Sequence, residues 1–334
     1  MPAPDQEEPV RAIVQDRYGG ADVLELRDVD TPTPGDDEVL VQVHAAGLDP
    51  GVWHLMTGLP YLVRLGFGLR RPRTGVLGTD VAGRVEALGR NVTQFQPGDE
   101  VFGSCRGSFA DYAIARAHHL APKPAALGFE QAAAVPVSGI TALQALRDKA
   151  RVRAGQQVLV TGAGGGVGTF AVQLARAFDA EVTGVCSTAK LDTVRSIGAS
   201  HVIDYTREDF TQSTRRYDAI VDTAGNRPLL QLRRALTPRG SLVIVGGEGG
   251  GRWLGGVGRL LRALLLSPFV TQQLRPFLAA ARNEDLESLK ELVEAGKLAP
   301  VIDRIYPLQE VAEAVRHLEQ GHARGKVVIR VVEP

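Results

Sequence analysis

The 334-residue sequence predicts an α/β protein in two domains, a partly open β-barrel-like domain followed by a doubly wound parallel sheet. Three observations predict it. Short alternating strands punctuated by turns run from Val10 to about Phe102. Beyond Pro124, short apolar runs alternate with helical stretches, as a parallel sheet covered on both faces requires. Between the first such run and its helix lies a glycine-rich turn, Thr161 to Gly168.

Bulk composition suits this plan. Hydrophobic residues make up 44% of the chain, enough to fill two cores, and charged residues an ordinary 23%. Lys plus Arg and Asp plus Glu each number 38, so the formal charge is zero and no basic excess points to nucleic acid. Arg70, Arg71 and Arg73 stand around Pro72 and read as a solvated loop. Cys105 and Cys186 lie far apart in a chain that needs no staple, so reduced thiols and a cytoplasmic setting are expected. The acidic opening Met1 to Glu8 lacks the basic region and apolar core of a signal peptide. Trp253 to Val270 is strongly apolar, but Arg259 and Arg262 interrupt it and Pro268 ends it, short of the ~20 residues that cross a bilayer. It reads as a helix over the interdomain cleft, with contact to a membrane surface or a partner chain as the alternative.

The elements follow in order. Val39 to Val43 and Val81 to Gly89 are strands, and Pro97-Gly98-Asp99 is a turn before Val101 and Phe102. Gln131 to Ala134 and Ile140 to Leu146 are helical in composition. Strands at Val158 to Val160, Glu181 to Cys186, His201 to Asp204, Ala219 to Val221 and Leu242 to Val245 then alternate with helices such as Val167 to Phe178. Helices at Asp285 to Glu294 and Val311 to Leu318 precede a last strand, Lys326 to Val332, expected to return to the first domain. The predicted boundaries are 1–130 and 271–334 for the discontinuous barrel domain and 131–270 for the parallel-sheet domain.

The glycine turn carries the function. It follows a buried strand and opens a helix, the context in which bare backbone lets a pyrophosphate approach main-chain amides at a helix N-terminus. Its register is Ala163-x-Gly165-x-x-Gly168, with Ala where the first Gly is usual. NAD enzymes place an Asp or Glu about 20 residues further on, against the adenosine ribose. Here the second strand ends in Cys186, Ser187, Thr188, Ala189 and Lys190, without an acid. Ser187 and Lys190 can bind a 2′-phosphate, so NADPH is the expected cofactor; the plainer reading of Lys190 is an exposed lysine opening a helix. Tyr205 is placed to stack near the same adenosine end or simply to pack.

Taken together, Gly78 to Gly83, Pro97 to Gly103, the glycine turn, Gly198-Ala199 and His322 to Val328 make the whole chain resemble the medium-chain dehydrogenase/reductase superfamily, in its zinc-free quinone oxidoreductase (zeta-crystallin-like) branch. The resemblance implies a GroES-like barrel domain, a Rossmann domain, a cofactor in the cleft between them and a homodimer. It assigns cofactor contacts to Gly164, Gly165, Gly166, Val167, Gly168, Ser187, Lys190 and Tyr205, with His322, Ala323 and Arg324 approaching from the returning segment. Zinc-using members carry a Cys in the first loop and a Gly-His-Glu run; this chain has Asp49 and Gly78-Thr79-Asp80. Too few ligands remain for a metal, which needs three or four.

Hydride from a nicotinamide needs an acceptor whose negative charge is stabilised. A quinone or conjugated enone delocalises that charge and tolerates a site without a Lewis acid, so a small quinone, enone or carbonyl compound is the expected partner. Asp49 departs from the branch's usual Asn. It can anchor the nicotinamide ribose hydroxyls, act as a donor if burial keeps it protonated, or only form the turn before Pro50. His54 and Tyr61 fall where the family lines its substrate pocket, as proton donors or as wall, and the segment from Gly249 to Phe269 is expected to complete that pocket. Two other readings stay open: a zinc-free alcohol dehydrogenase/aldehyde reductase, and an NADPH-binding structural or regulatory protein with little catalysis.

Overall fold

A computed structural model describes residues 9–73, 75–246 and 251–332. The acidic opening and Gly249 and Gly250 lie outside the described residues.

The barrel domain starts with a hairpin, β1 (Val10–Val14) and β2 (Glu25–Val29). It continues with β3 (Glu38–Leu48), β4 (Asp80–Leu88), β5 (Glu100–Ser104), β6 (Tyr112–Arg116) and β7 (Leu120–Pro122). The parallel sheet holds β8 (Gln157–Thr161), β9 (Glu181–Cys186), β10 (His201–Asp204), β11 (Tyr217–Asp222), β12 (Leu236–Ile244) and β13 (Gln273–Pro276). The chain closes with β14 (Ile302–Pro307) and β15 (Lys326–Arg330).

Strand order in the parallel sheet is β10-β9-β8-β11-β12-β13, the doubly wound pattern whose order reverses beside β8. β8 and β11 are central and their apolar residues fully buried, as strands covered by helices on both faces must be. In the barrel the order is β14-β15-β3-β4-β5-β7, with β6 also pairing β3. The last strand does return: β15 pairs antiparallel with β3, Val327 opposite Leu48. One apolar cluster crosses the boundary, packing Ala45, Phe102 and Val328 of the barrel with Val160, Phe170 and Leu289 of the sheet domain.

The predicted switch at residue 271 needs correction. β13 is the sixth strand of the parallel sheet, paired with β12, and the Asn283–Glu294 helix buries Leu286, Leu289 and Val293 in the cluster that covers that sheet. The barrel resumes only at β14. β13 reads Gln-Leu-Arg-Pro, too short and polar for periodicity to reveal.

Trp253 to Val270 forms two short helices, Gly251–Leu254 and Val257–Leu266. The second packs Leu260, Ala263 and Leu266 on the outer face of the parallel sheet. Trp253 reaches the barrel at Tyr61, ring centroids 5.2 Å apart, so the segment does bridge the two domains. Among the described residues no helix is long and apolar enough to cross a membrane. Cys105 and Cys186 are unpaired.

Candidate active site

β8 delivers the chain to Gly162, whose φ of +63° starts the turn, and Gly165 precedes the Gly166–Ala177 helix. A Cβ on Gly168 would fall 2.1 Å from the Gly162 carbonyl oxygen, so its absence sets how closely helix and strand approach. Ala163 stands in place of the usual first glycine because Gly184 on β9 faces it without a side chain. The first-turn amides of the helix, from Gly166, Val167 and Gly168, lack intrahelical acceptors. This is a backbone cradle suited to a dinucleotide's diphosphate.

The returning segment closes on this cradle. Gly325 N–H donates to the Gly164 carbonyl at 3.1 Å. Lys190 lays its stem where a Cβ on Gly164 would stand and donates from Nζ to the Ala323 carbonyl at 2.5 Å. Burial, with Arg324's charge, holds the Lys190 ammonium below its ordinary pKa against the pull of Asp303. Ala323 is buried, while His322 and Arg324 are exposed on either side of it. Ser187 follows β9 half-buried, and Tyr205 is half exposed with its N–H on the Cys186 carbonyl.

Sequence reasoning missed an acid here. Asp204, at the end of β10, accepts from the hydroxyls of Thr188 and Thr206, which hold it below the usual carboxylate range. The acid of NAD enzymes ends the second strand of the sheet; this one ends the neighbouring strand, β10.

Opposite the cradle lies a buried ionic cluster. Asp49 precedes the Pro50–Thr57 helix but caps no backbone amide. Instead Lys326 Nζ lies 2.6 Å from its Oδ1 and Ser138 Oγ donates at 3.1 Å. Asp80 Oδ2 is 3.2 Å from the same ammonium, and its Oδ1 accepts the Val137 N–H at 2.9 Å. Register explains the meeting: β15, β3 and β4 are neighbours, with Leu48 opposite Val327 and Gly47 opposite Asp80. All three charged residues thus sit at adjoining strand ends, 5% exposed or less. Gly166 ties the cluster to the cradle, since a Cβ there would lie 3.2 Å from both Lys326 Cδ and Ser138 Oγ.

Two carboxylates and one ammonium would leave a net charge buried, which is costly. Burial first, then the Asp49 charge, push the Asp80 carboxyl well above the usual range, so Asp80 keeps a proton. Burial alone would raise Asp49 as well; the Lys326 ammonium and hydrogen bonds from Asp80, Lys326 and Ser138 outweigh it and hold Asp49 ionised. The cluster is neutral overall. Of the readings open for Asp49, this arrangement favours the ionised anchor. Its Oδ2 is buried and receives no N–H and no hydroxyl of Ser, Thr or Tyr among the described residues.

His54 and Tyr61 stand outside this cluster. His54 Nδ1 lies 2.7 Å from the Leu59 carbonyl, so in the neutral ring Nδ1 carries the hydrogen and Nε2 only accepts. Tyr61 packs on Trp253 and beneath the Arg64 guanidinium. A zinc ion does not fit the donors present. Among the described residues no three His, Cys, Asp or Glu side chains converge, and an ammonium already stands between the two carboxylates.

Comparison with known proteins agrees with this architecture. Residues 35–125 match the alcohol dehydrogenase GroES-like domain, and residues 197–329 the family described as zinc-binding dehydrogenase. A quinone oxidoreductase from Homo sapiens is 33% identical, aligned over 96% of this chain and 97% of its own. A chloroplast envelope quinone oxidoreductase homolog from Arabidopsis thaliana is also 33% identical, over 93% and 95%. The chain belongs to the medium-chain dehydrogenase/reductase superfamily. Within it the likeness is to quinone oxidoreductases: the structure of that enzyme from Coxiella burnetii superposes with a TM-score of 0.86 at 31% identity, covering 97% of this chain and all of the other. As a member the protein is an NAD(P)-binding oxidoreductase with a GroES-like and a Rossmann domain.

Proposed function

We propose that the protein is an NADPH-dependent reductase of quinones or conjugated enones that works without a metal. The observation that carries this reading is the neutral Asp49–Lys326–Asp80 cluster lying against the cofactor cradle at Gly166. The cofactor, when bound, supplies the hydride. Main-chain amides of Gly166, Val167 and Gly168 hold its diphosphate. Asp49 Oδ2 accepts from a hydroxyl of the nicotinamide ribose, and Lys326 and Ser138 keep that carboxylate from turning away. Such positioning converts binding into rate by removing orientational freedom. Ser187 and Lys190 favour a 2′-phosphate; Asp204, tied to two threonine hydroxyls, is the group that favours NADH.

The Lys326 ammonium is spent on carboxylates, so charge arriving on a substrate oxygen must be spread by the substrate itself. Quinones and enones do this. Of the two candidate proton donors the phenol of Tyr61 is the better one, because His54 turns its Nδ1 hydrogen to the Leu59 carbonyl. Assembly as a homodimer belongs to the same proposal: β13 ends the parallel sheet, and its outer edge can pair with a second β13.

The test is steady-state turnover of purified protein with NADPH on 1,4-benzoquinone, an enone and a simple aldehyde, with and without a chelator. Quinone or enone turnover unaffected by chelator is expected. Turnover of the aldehyde alone would reassign the protein to the aldehyde reductases. Saturable NADPH binding with no turnover would make it a cofactor-binding protein.

A further inference from the structure

The most exposed apolar side chains are gathered in two stretches that carry no acid. Pro50 to Thr79 contains no Asp or Glu, and neither does Gly251 to Asn283. Within them Leu65, Leu69, Trp253 and Leu265 are 65, 68, 76 and 74% exposed, and Phe67 and Leu264 also face out. The two stretches touch: Tyr61 packs on Trp253, and the position of a Cβ on Gly255 lies 3.0 Å from Pro60 Cγ.

The Val257–Leu266 helix is apolar on both sides. Leu260, Ala263 and Leu266 pack inward, while Leu261, Leu264 and Leu265 repeat at helical spacing on the outside. Such a face on a soluble chain marks an interaction surface. Its arginines divide in the same way. Arg259 turns inward to Asp222, whereas Arg252 and Arg262, with Arg70, Arg71 and Arg73 from the other stretch, are exposed.

We propose that this face docks on the surface of an anionic lipid bilayer. Leucine, phenylalanine and tryptophan side chains enter the boundary between headgroups and acyl chains, and the arginines lie among the phosphates. Charge decides against a second copy set face to face on this patch, a different contact from the edge-to-edge pairing of β13 proposed above. A two-fold contact sets each patch against itself, bringing exposed arginines together with no acid in either stretch to pair them. An anionic membrane answers both the apolar and the basic character of the face. This docking is independent of the reaction proposed above.

The experiment is co-sedimentation of the full chain with vesicles of phosphatidylcholine alone and of phosphatidylcholine mixed with phosphatidylglycerol. Binding to the mixed vesicles, weakened by added salt, is expected. The double substitution Leu264→Glu, Leu265→Glu abolishes it. Arg70→Gln, Arg71→Gln and Arg262→Gln together lower the partition coefficient about a hundredfold, at about fivefold per arginine. All five positions are exposed and outside the cofactor cradle, so unchanged urea midpoints and NADPH affinity confirm that the variants are folded. Failure of the wild type to bind mixed vesicles at low salt overturns the proposal, as does equal binding by the double variant. Self-association of the wild type that the double variant loses would assign the face to a second copy instead.

Discussion

The glycine turn and the ionic cluster meet at Gly166, yet they are built in opposite ways. The turn is made of missing side chains on consecutive residues, and each absence opens backbone or lets a helix close on a strand. The cluster is made of side chains from four separate places, Asp49, Asp80, Ser138 and Lys326, joined by strand register. Damage to the first should come from adding atoms, and damage to the second from removing a charge.

That contrast can be broken or sharpened by measurement. The largest effect belongs to Lys326→Met, which leaves Asp49 and Asp80 buried without their cation; equilibrium urea unfolding should show a loss of about 3–5 kcal/mol. A loss below that of an ordinary surface substitution would mean the cluster is wet and weakly coupled. Gly168→Ala forces a Cβ onto the Gly162 carbonyl and should cost about 1–3 kcal/mol by the same measurement. Cofactor affinity should fall with it, since helix and cradle move together.

Asp80 gives the cluster a pH signature. Its folded pKa is raised, so above pH 3.8 the native state keeps a proton that the unfolded chain releases. Stability attributable to Asp80 therefore declines as pH rises, by about 1.4 kcal/mol per unit until the folded carboxyl titrates. Asp80→Asn should remove that slope from the difference between variant and wild type. Lys326 acts in the same sense at higher pH: its raised pKa stabilises below its ordinary value of 10.5, and that contribution is lost as pH rises through the folded one.

Smaller effects follow. Lys190→Ala should raise the Kd for NADPH about tenfold, the size of one charge-assisted hydrogen bond, and that for NADH much less, read from the fluorescence of the reduced cofactor. Equal losses would mean that Lys190 acts only by tethering Ala323. Arg84→Gln breaks an exposed pair with Glu100 and should change stability by less than about 1 kcal/mol, setting the scale for the rest.

Much of this was legible in residue order. β9 and β10 coincide with the predicted strands, the Gly166–Ala177 helix lies one residue from its predicted start and end, and the return of β15 to β3 was anticipated. β13 escaped because four polar-rich residues carry no periodicity. Asp204 escaped because it meets Cys186 and Thr188 only across the sheet. A charged residue directly before an uncharged run of buried residues, as Asp80 and Lys326 both stand, was the one available hint of the cluster.

By itself the sequence determined the two-domain plan and the cofactor cradle, because both rest on interactions within a few residues: periodic burial, a turn that only glycine can make, a helix that starts where a strand stops. Only the tertiary structure decided which charges meet. Asp49, Asp80 and Lys326 are distant in the chain, and no local rule pairs them. Register brings them together; once they are buried, the cost of an uncompensated charge requires one carboxyl to hold a proton, and the shorter contact with Lys326 leaves Asp49 the ionised one.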